Sequence, residues 1–201
     1  VVIFLLGFLT VKSNLAGLTS FQPLEPYPLA DSSNISRRAE QNLKPTFGKL
    51  VIVLIDALRA DFVLPTGDTT LPKLSFLVDK IQRNETLSFL ARAHTPTVTL
   101  PRVKALTSGS IPGFVDVVLN FDSQELQEDN LISQLHNAGK KIVFYGDDTW
   151  IRLFPDHFVR EDGTTSFFVT DYTEVDNNVT RHLDAELTNK DWDVMILHYL
   201  G

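Results

Sequence analysis

An unbroken aliphatic run that ends in a carboxylate is the feature that most constrains the fold of this chain. Residues Leu50–Ile55 are all Leu, Val or Ile, and Asp56 follows them directly. A run of this kind predicts a parallel strand that is buried on both faces. Because ligands of open α/β sheets bind beyond the carboxyl ends of the strands, Asp56 is a candidate ligand-binding residue. An equally simple interpretation is that Asp56 caps the helix or turn after it.

Further apolar runs alternate with helical patterns and extend the prediction to a whole α/β domain. Three more strands are predicted, at Ser88–Ala93, Lys141–Tyr145 and Val194–Tyr199. Apolar residues recur at helical spacing in three segments, Leu71–Ile81, Glu128–Ala138 and Glu174–Leu187. The sequence therefore predicts a largely parallel sheet flanked by helices.

The composition divides the chain into three predicted regions. Residues 1–12 are mostly aliphatic or Phe and are shorter than the ~20 residues that span a bilayer, which indicates part of a signal anchor or transmembrane segment, with a buried core segment as the alternative. Residues 13–46 are rich in Pro, Ser and Asn and predict a linker or stalk. The folded domain then covers residues 47–201. Because the last predicted core strand ends close to Gly201, we expect a fold that is incomplete at its C-terminus, as in the N-terminal portion of a longer protein.

Charge and cysteine content exclude several classes of function. The net charge of −7 provides no basic surface with which to bind nucleic acid. The chain has no cysteine, which excludes disulfides, thiolate zinc sites and sulfatase chemistry through a cysteine-derived formylglycine. A metal ion would have to be bound by carboxylate, imidazole or hydroxyl groups.

Three Asn-x-Ser/Thr sequons bear on the compartment. They begin at Asn34, Asn84 and Asn178. Single sequons arise often by chance, but three of them after an apolar N-terminus favour a glycoprotein with a lumenal or secreted domain.

A hydroxyl-rich segment before a predicted helix is the second candidate site. Thr97 and Thr99 come just before Pro101 and the helical stretch Val103–Thr107. Backbone N–H groups and the dipole at a helix N-terminus favour a phosphate or a developing anion. A threonine hydroxyl in that place could act as a nucleophile if a metal ion lowers its pKa, and Asp56 could hold that metal ion. The structural alternative is that Thr97 or Thr99 is the N-cap, with Pro101 in the first turn.

Other polar residues offer weaker candidates. Asp147, Asp148 and His157 could form an additional metal site, but lining of a substrate pocket or formation of a turn explains them more simply. His94 could be imagined as a base for Thr97, although a metal-activated hydroxyl requires none. His198 lies inside a predicted strand, where a core histidine is the expected role.

Two motifs together resemble the alkaline-phosphatase-like superfamily. They are Val-Ile-Val-Leu-Ile-Asp-Ala-Leu-Arg at residues 51–59 and Pro-Thr-Val-Thr-Leu-Pro-Arg at residues 96–102. Within that superfamily the chain resembles the lumenal domain of the GPI ethanolamine phosphate transferases, from about Lys49 to Gly201. Three further segments carry this resemblance, at residues 104–116, 143–150 and 171–178. The chain is similar to the PIG-G type, which acts on the second mannose of the anchor.

The resemblance implies a mechanism and a site. The family nucleophile, a threonine, falls on Thr97; it attacks the phosphorus of phosphatidylethanolamine, forms a phosphoethanolamine–threonine intermediate and passes the group to a mannose hydroxyl of the GPI glycan. Asp56 and Thr97 are then ligands of a two-zinc site whose remaining ligands follow Gly201. The resemblance also implies an endoplasmic reticulum membrane protein whose domain faces the lumen and which associates with a small stabilising membrane subunit.

Two other functions are open at this point. A phosphodiesterase or phosphatase of the same superfamily would resolve the threonine intermediate with water in place of a sugar hydroxyl. A chain without the remaining metal ligands would be an inactive, truncated interaction fragment. The residues around Thr97 do not distinguish these functions, because the choice of acceptor lies elsewhere.

Overall fold

Strands and helices alternate along the part of the chain that the computed structural model describes, residues 47–63, 74–91, 97–110, 125–165 and 173–201. The strands are β1 (Leu50–Ile55), β2 (Ile142–Asp147), β3 (Arg160–Thr164) and β4 (Val194–Tyr199). The α-helices are α1 (Ser75–Gln82), α2 (Thr99–Ser108), α3 (Leu131–Asn137), α4 (Thr149–Leu153) and α5 (Glu174–Asn189). A short 3-10 helix covers Ala60–Phe62.

The predicted membrane segment and stalk, residues 1–46, lie outside the described residues. Within the described ranges, no helix combines the length and the apolar composition needed to cross a membrane. The domain boundary near residue 47 stays a prediction.

All four strands form one parallel sheet in the order β1-β4-β2-β3. β4 lies between β1 and β2, so that its Ile196 pairs with Ile52 on one side and with Phe144 on the other. Neighbouring parallel strands must be joined by crossover connections, and the helices between the strands provide them. The predicted α/β class, a parallel sheet flanked by helices, is confirmed.

Each face of the sheet packs against helices. One face joins β2 and β4 to α2, α3 and α4 in a buried cluster that includes Val103, Ile132, Ile142, Phe144, Trp150, Leu153, Phe154, Val194 and Ile196. The other face joins the same two strands to α5 in a cluster of Val143, Tyr145, Val179, Trp192, Met195 and Leu197. Successive side chains of a strand point to opposite faces, which explains how two strands supply both clusters.

The prediction that β1 is buried on both faces is wrong for the described structure. Ile52 and Leu54 pack against the cluster that contains α2. Val51 and Val53 point to the face that carries α5, and they are 49% and 53% exposed. The reason is position, because β1 lies at an edge of the described sheet whereas α5 packs against β2, β3 and β4.

Other predicted elements are partly confirmed. The three predicted helices are present as α1, α3 and α5 with shifted ends. The strand predicted at Ser88–Ala93 is wrong over residues 88–91, whose backbone is irregular and exposed, and residues 92 and 93 lie outside the described residues. The sequence pattern predicts neither α4 nor β3. β3 has the sequence Arg-Glu-Asp-Gly-Thr, which contains no apolar run, and it is extended because it pairs with β2.

A polar network fastens α5 to β2 and β3. Arg160 donates from Nε and Nη2 to the two carboxylate oxygens of Glu186, each at 2.7 Å, and the Tyr145 hydroxyl donates to Glu186 Oε1 at 2.6 Å. The hydrogen bonds from Arg160 lower the pKa of the Glu186 carboxyl group. Burial, together with Glu186, raises the pKa of Tyr145 to about 12. At neutral pH the carboxylate is therefore ionised and the phenol keeps its proton.

Candidate active site

Asp56 lies in the turn that ends β1. Its N–H donates to the Tyr199 carbonyl at 2.9 Å, which continues the pairing with β4 by one residue. Its Oδ1 accepts the N–H of Ala57 at 2.8 Å, and Ala57 has a φ of 52°, in the left-handed region. The N-cap of the next helix is Arg59, so Asp56 stabilises the turn without capping a helix. The second carboxylate oxygen, Oδ2, is left for another partner.

In the part of the chain that the structure describes, no side chain caps the N-terminus of α2. α2 begins at Thr99, and Val98, which cannot accept a hydrogen bond through its side chain, is the N-cap residue. The alternative that Thr97 or Thr99 is the N-cap is therefore wrong, whereas the position of Pro101 in the first turn is confirmed. Thr97 is exposed and immediately precedes Val98. The uncapped N–H groups and the helix dipole favour binding of an anion at this end.

The Asp56 turn and the start of α2 meet in the fold. Thr99 Oγ1 donates to Asp56 Oδ2 at 3.5 Å, a long hydrogen bond between residues 43 positions apart in the chain. Thr97 lies two residues before this contact. The fold thus brings the segment that contains the predicted nucleophile to the predicted metal ligand, at the carboxyl edge of the sheet.

The donor atoms of this site match zinc in kind but are too few to complete its coordination. Carboxylate and hydroxyl oxygens are acceptable ligands, and a zinc site needs three or four protein ligands. Within the described ranges, no group of three or more His, Asp or Glu side chains is arranged to hold a metal ion. The metal-binding role of Asp56 and Thr97 therefore stays a prediction.

The backbone after β4 packs against the Asp56 turn. Asp176, in the first turn of α5, accepts the N–H groups of Leu200 at 2.7 Å and of Gly201 at 3.4 Å. Gly201 has a φ of +89°, and a Cβ added to it would lie 2.9 Å from the carbonyl oxygen of Asp56. Sequence reasoning missed Asp176, whose only signal is an acidic residue at a helix start. It holds the chain that borders the site.

An apolar pocket is lined in part by residues that follow the Asp56 turn in the chain. Its volume is about 500 Å³, and its lining includes Leu58, Ala60, Leu77, Ile81, Phe89 and Leu90. Leu58 and Ala60 follow Asp56 closely in the chain, while Asp56 itself does not line the pocket. A pocket with this lining favours an apolar part of a ligand.

Comparison with known proteins identifies the family. The chain is 53% identical over 204 residues to the GPI ethanolamine phosphate transferase 2 catalytic subunit of Homo sapiens, in an alignment that covers 100% of this chain and 20% of that protein. It is 46% identical to GPI ethanolamine phosphate transferase 2 of Eremothecium gossypii, over 100% of this chain and 24% of the relative. With the Schizosaccharomyces pombe relative the identity is 42%, over 100% of this chain and 25% of the relative. This chain belongs to the GPI ethanolamine phosphate transferase 2 family.

The chain spans about a fifth to a quarter of the length of these relatives. No family model matches it. No solved structure matches it either. The expected family of GPI ethanolamine phosphate transferases is confirmed through these relatives, while the mechanism, the zinc ions and the mannose that is modified stay predictions.

In this member of the transferase 2 family, His198 belongs to the core. It is 1% exposed, and its Nδ1 accepts a hydrogen bond from Trp150 Nε1 at 3.1 Å. Burial lowers the pKa of His198, and the charges of Asp147, Asp56 and Asp176 oppose that change. The ring is therefore neutral at physiological pH, and it joins the C-terminal end of β4 to Trp150 of α4. The predicted core role is confirmed.

The additional metal site considered for Asp147, Asp148 and His157 does not form in the described structure. Asp147 Oδ1 accepts the N–H of Thr149 at 2.8 Å, and Asp148 pairs with Arg152 at 2.7 Å. The His157 ring instead contacts Ser133 Oγ at 3.1 Å. The alternative that the two aspartates form a turn is confirmed by the Asp147–Thr149 bond. His94 lies outside the described residues.

Proposed function

We propose that this chain carries the nucleophile of a phosphoethanolamine transferase that modifies a mannose of the GPI precursor, the second mannose in the PIG-G type. The observation that supports this most is the contact of Thr99 with Asp56, which brings Thr97, the uncapped start of α2 and a carboxylate to one edge of the sheet. The names of the relatives supply the reaction class and the GPI substrate. In this proposal the domain has the alkaline-phosphatase-like fold and faces the lumen of the endoplasmic reticulum.

The transfer takes two displacements at phosphorus. In the first, Thr97 Oγ bonds to the phosphorus of phosphatidylethanolamine, the bond from phosphorus to the diacylglycerol oxygen breaks, and that oxygen takes up the proton lost by Thr97. In the second, a mannose hydroxyl bonds to the phosphorus and loses its proton, and the bond to Thr97 breaks as Thr97 regains a proton. The N-terminus of α2 stabilises the negative charge on the phosphoryl oxygens.

Asp56 and Thr97 would be the ligands that this chain contributes to a two-zinc site. Among the described residues, Asp56 Oδ2 has only the long contact with Thr99, and Thr97 is exposed. When bound, zinc lowers the pKa of a coordinated hydroxyl and stabilises the charge of the phosphoryl group. The apolar pocket of about 500 Å³, lined in part by Leu58 and Ala60, supports a lipid donor such as phosphatidylethanolamine.

The proposal includes a membrane-bound assembly. The human relative is named a catalytic subunit, which supports the presence of a second, non-catalytic subunit. We assign that role to a small stabilising membrane subunit, and we place the whole protein in the endoplasmic reticulum membrane. The donor and the acceptor are both lipid-linked, so a membrane location brings the site to its substrates.

Thr97→Ala in the full-length protein tests the nucleophile. We expect a loss of phosphoethanolamine transfer of about 10³-fold or more, because the alanine side chain cannot form the covalent intermediate. The measurement is transfer to the GPI precursor in microsomes that lack the endogenous enzyme. Thr97→Ser keeps a hydroxyl and should retain part of the activity.

A matched control is Thr188→Ala. Thr188 is exposed on α5 and donates to the carbonyl of Asp184 at 2.7 Å, away from the Asp56 turn, so its replacement should leave transfer unchanged. Mass spectrometry of the wild-type protein after addition of donor alone should find phosphoethanolamine on Thr97. Full transfer by the Thr97→Ala variant would refute the assignment, and release of phosphoethanolamine into water without transfer would favour the phosphodiesterase alternative.

A further inference from the structure

We propose that Asn84 carries an N-linked glycan and that Asn178 does not, although both begin sequons. The inference rests on the proposed lumenal location of the domain. The two sequons, Asn84-Glu85-Thr86 and Asn178-Val179-Thr180, have the same chemistry and differ in their structural surroundings. The third sequon, at Asn34, lies outside the described residues.

Asn84 lies in the turn that follows α1. Its φ of 55° is in the left-handed region, and its N–H donates to the Ile81 carbonyl at 3.1 Å, so the chain reverses here and leaves the helix. Residues 84, 85 and 86 are all exposed. Within the described structure no hydrogen bond holds the side-chain amide of Asn84. Its Nδ2, the atom to which a glycan is attached, is therefore free to project into solvent.

Asn178 offers the opposite surroundings. It is 3% exposed on the inward face of α5, and its Nδ2 donates to Thr164 Oγ1 at 2.6 Å. The next residue, Val179, is fully buried in the cluster that α5 forms with the sheet. A sugar on Nδ2 would have no space between α5 and β3. A glycan at this position is therefore incompatible with the folded domain.

The modification joins the asparagine amide to a sugar that is carried on a lipid diphosphate. Nδ2 of Asn84 bonds to C1 of the first N-acetylglucosamine, the bond from C1 to the diphosphate oxygen breaks, the amide nitrogen loses one proton, and the lipid diphosphate leaves. A separate lumenal oligosaccharyltransferase performs this step while the chain is still unfolded. Protein that carries a glycan at Asn178 could not fold as described, whereas a glycan at Asn84 leaves the fold unchanged.

Two single substitutions that keep both asparagines test the proposal. Thr86→Ala breaks the first sequon at an exposed position, and Thr180→Ala breaks the second, also at an exposed position. The full-length protein is expressed in cells, and its electrophoretic mobility is compared before and after treatment with peptide N-glycosidase. We expect Thr86→Ala to lose one glycan step, Thr86→Ser to keep it, and Thr180→Ala to match the wild type.

Peptide mass spectrometry adds a readout that does not depend on mobility. Release of the glycan in ¹⁸O-water should convert Asn84, but not Asn178, to labelled Asp. Protease protection of an epitope tag placed in the domain, in sealed microsomes, reports the topology separately. If the tag is protected and Asn84 is unmodified, or if Asn178 is labelled in folded protein, the glycan assignment alone is wrong. If the tag is digested, the lumenal location fails and the glycan assignment fails with it.

Discussion

β4 and β1 are adjacent strands of one parallel sheet, and both are predicted from almost purely apolar runs, yet their burial differs. Five of the six residues of β4 are buried, whereas none of the six residues of β1 is. β4 has a strand on each side and α5 above it, while β1 lies at an edge of the described sheet. An apolar run therefore predicts that a strand forms, but its place in the sheet decides how much of it is covered.

The same difference in burial separates the residues that stabilise the sheet from the residues proposed to act in catalysis. β4, β2 and α5 share the two buried clusters and the network around Glu186, which fix the sheet. The end of β1 carries Asp56 in a half-buried turn, in contact with Thr99, which lies two residues after the exposed Thr97. A reacting group must be reachable by its substrate, so the exposed edge suits the proposed site, and the buried strands and α5 give that edge a rigid support.

Asp56→Asn, at the exposed edge, should have the largest effect of the substitutions compared here, and the quantity that it lowers should be the rate of transfer. Loss of the charge removes a ligand of the proposed metal site, and we expect transfer by the full-length protein to fall by about 10³-fold, or ~4 kcal/mol of transition-state stabilisation. Stability should barely change, because the asparagine Oδ1 can still accept the N–H of Ala57. The surface variant Asp79→Asn, which loses an exposed pair with Arg83, is the control for both measurements. Normal transfer by Asp56→Asn would exclude a role for its charge.

Val143→Ala should have the largest effect on stability among the changes compared here. Val143 on β2 is fully buried between the sheet and α5, and removal of two methyl groups leaves a cavity there. We expect a loss of about 2–3 kcal/mol in the free energy of unfolding. Urea unfolding followed by tryptophan fluorescence measures it. A loss below about 1 kcal/mol would mean that this face repacks easily.

The sequence predicts many of the strands and helices but few of the contacts between them. Aliphatic runs identify β1 and β4, and apolar spacing identifies α5, because both signals are local. β3 escapes prediction, since its polar residues are extended only by pairing with β2. The roles of Asp176 and Glu186 are not predicted either, because their partners are distant in the chain. Leu200 lies 24 positions from Asp176, and Arg160 lies 26 positions from Glu186. Asp56 is predicted because the end of a strand is visible in the sequence.

Glu186→Gln should lower the free energy of unfolding by about 2 kcal/mol at neutral pH, because it removes the charge that Arg160 binds. The effect should depend on pH. Arg160 lowers the pKa of Glu186 in the folded protein. As the pH falls below about 4.5, the ordinary value, the unfolded chain takes up a proton first, so the advantage of the wild type shrinks and disappears below the folded pKa. An advantage that stays constant from pH 7 to pH 3 would contradict the ionic role of Glu186.

Val53→Ala is the matched counterpart of Val143→Ala and should have the smallest effect. The substitution removes the same two methyl groups from a strand of the same sheet, but Val53 is 53% exposed while Val143 is fully buried. Little transfer free energy is lost and no cavity forms, so we expect a cost below about 1 kcal/mol, part of it from the lower strand propensity of alanine. The two variants are compared in the same urea titration of the protein. A cost for Val53→Ala equal to that of Val143→Ala would show that the α5-side face of β1 is covered in solution, and the contrast between β1 and the buried strands would then not hold.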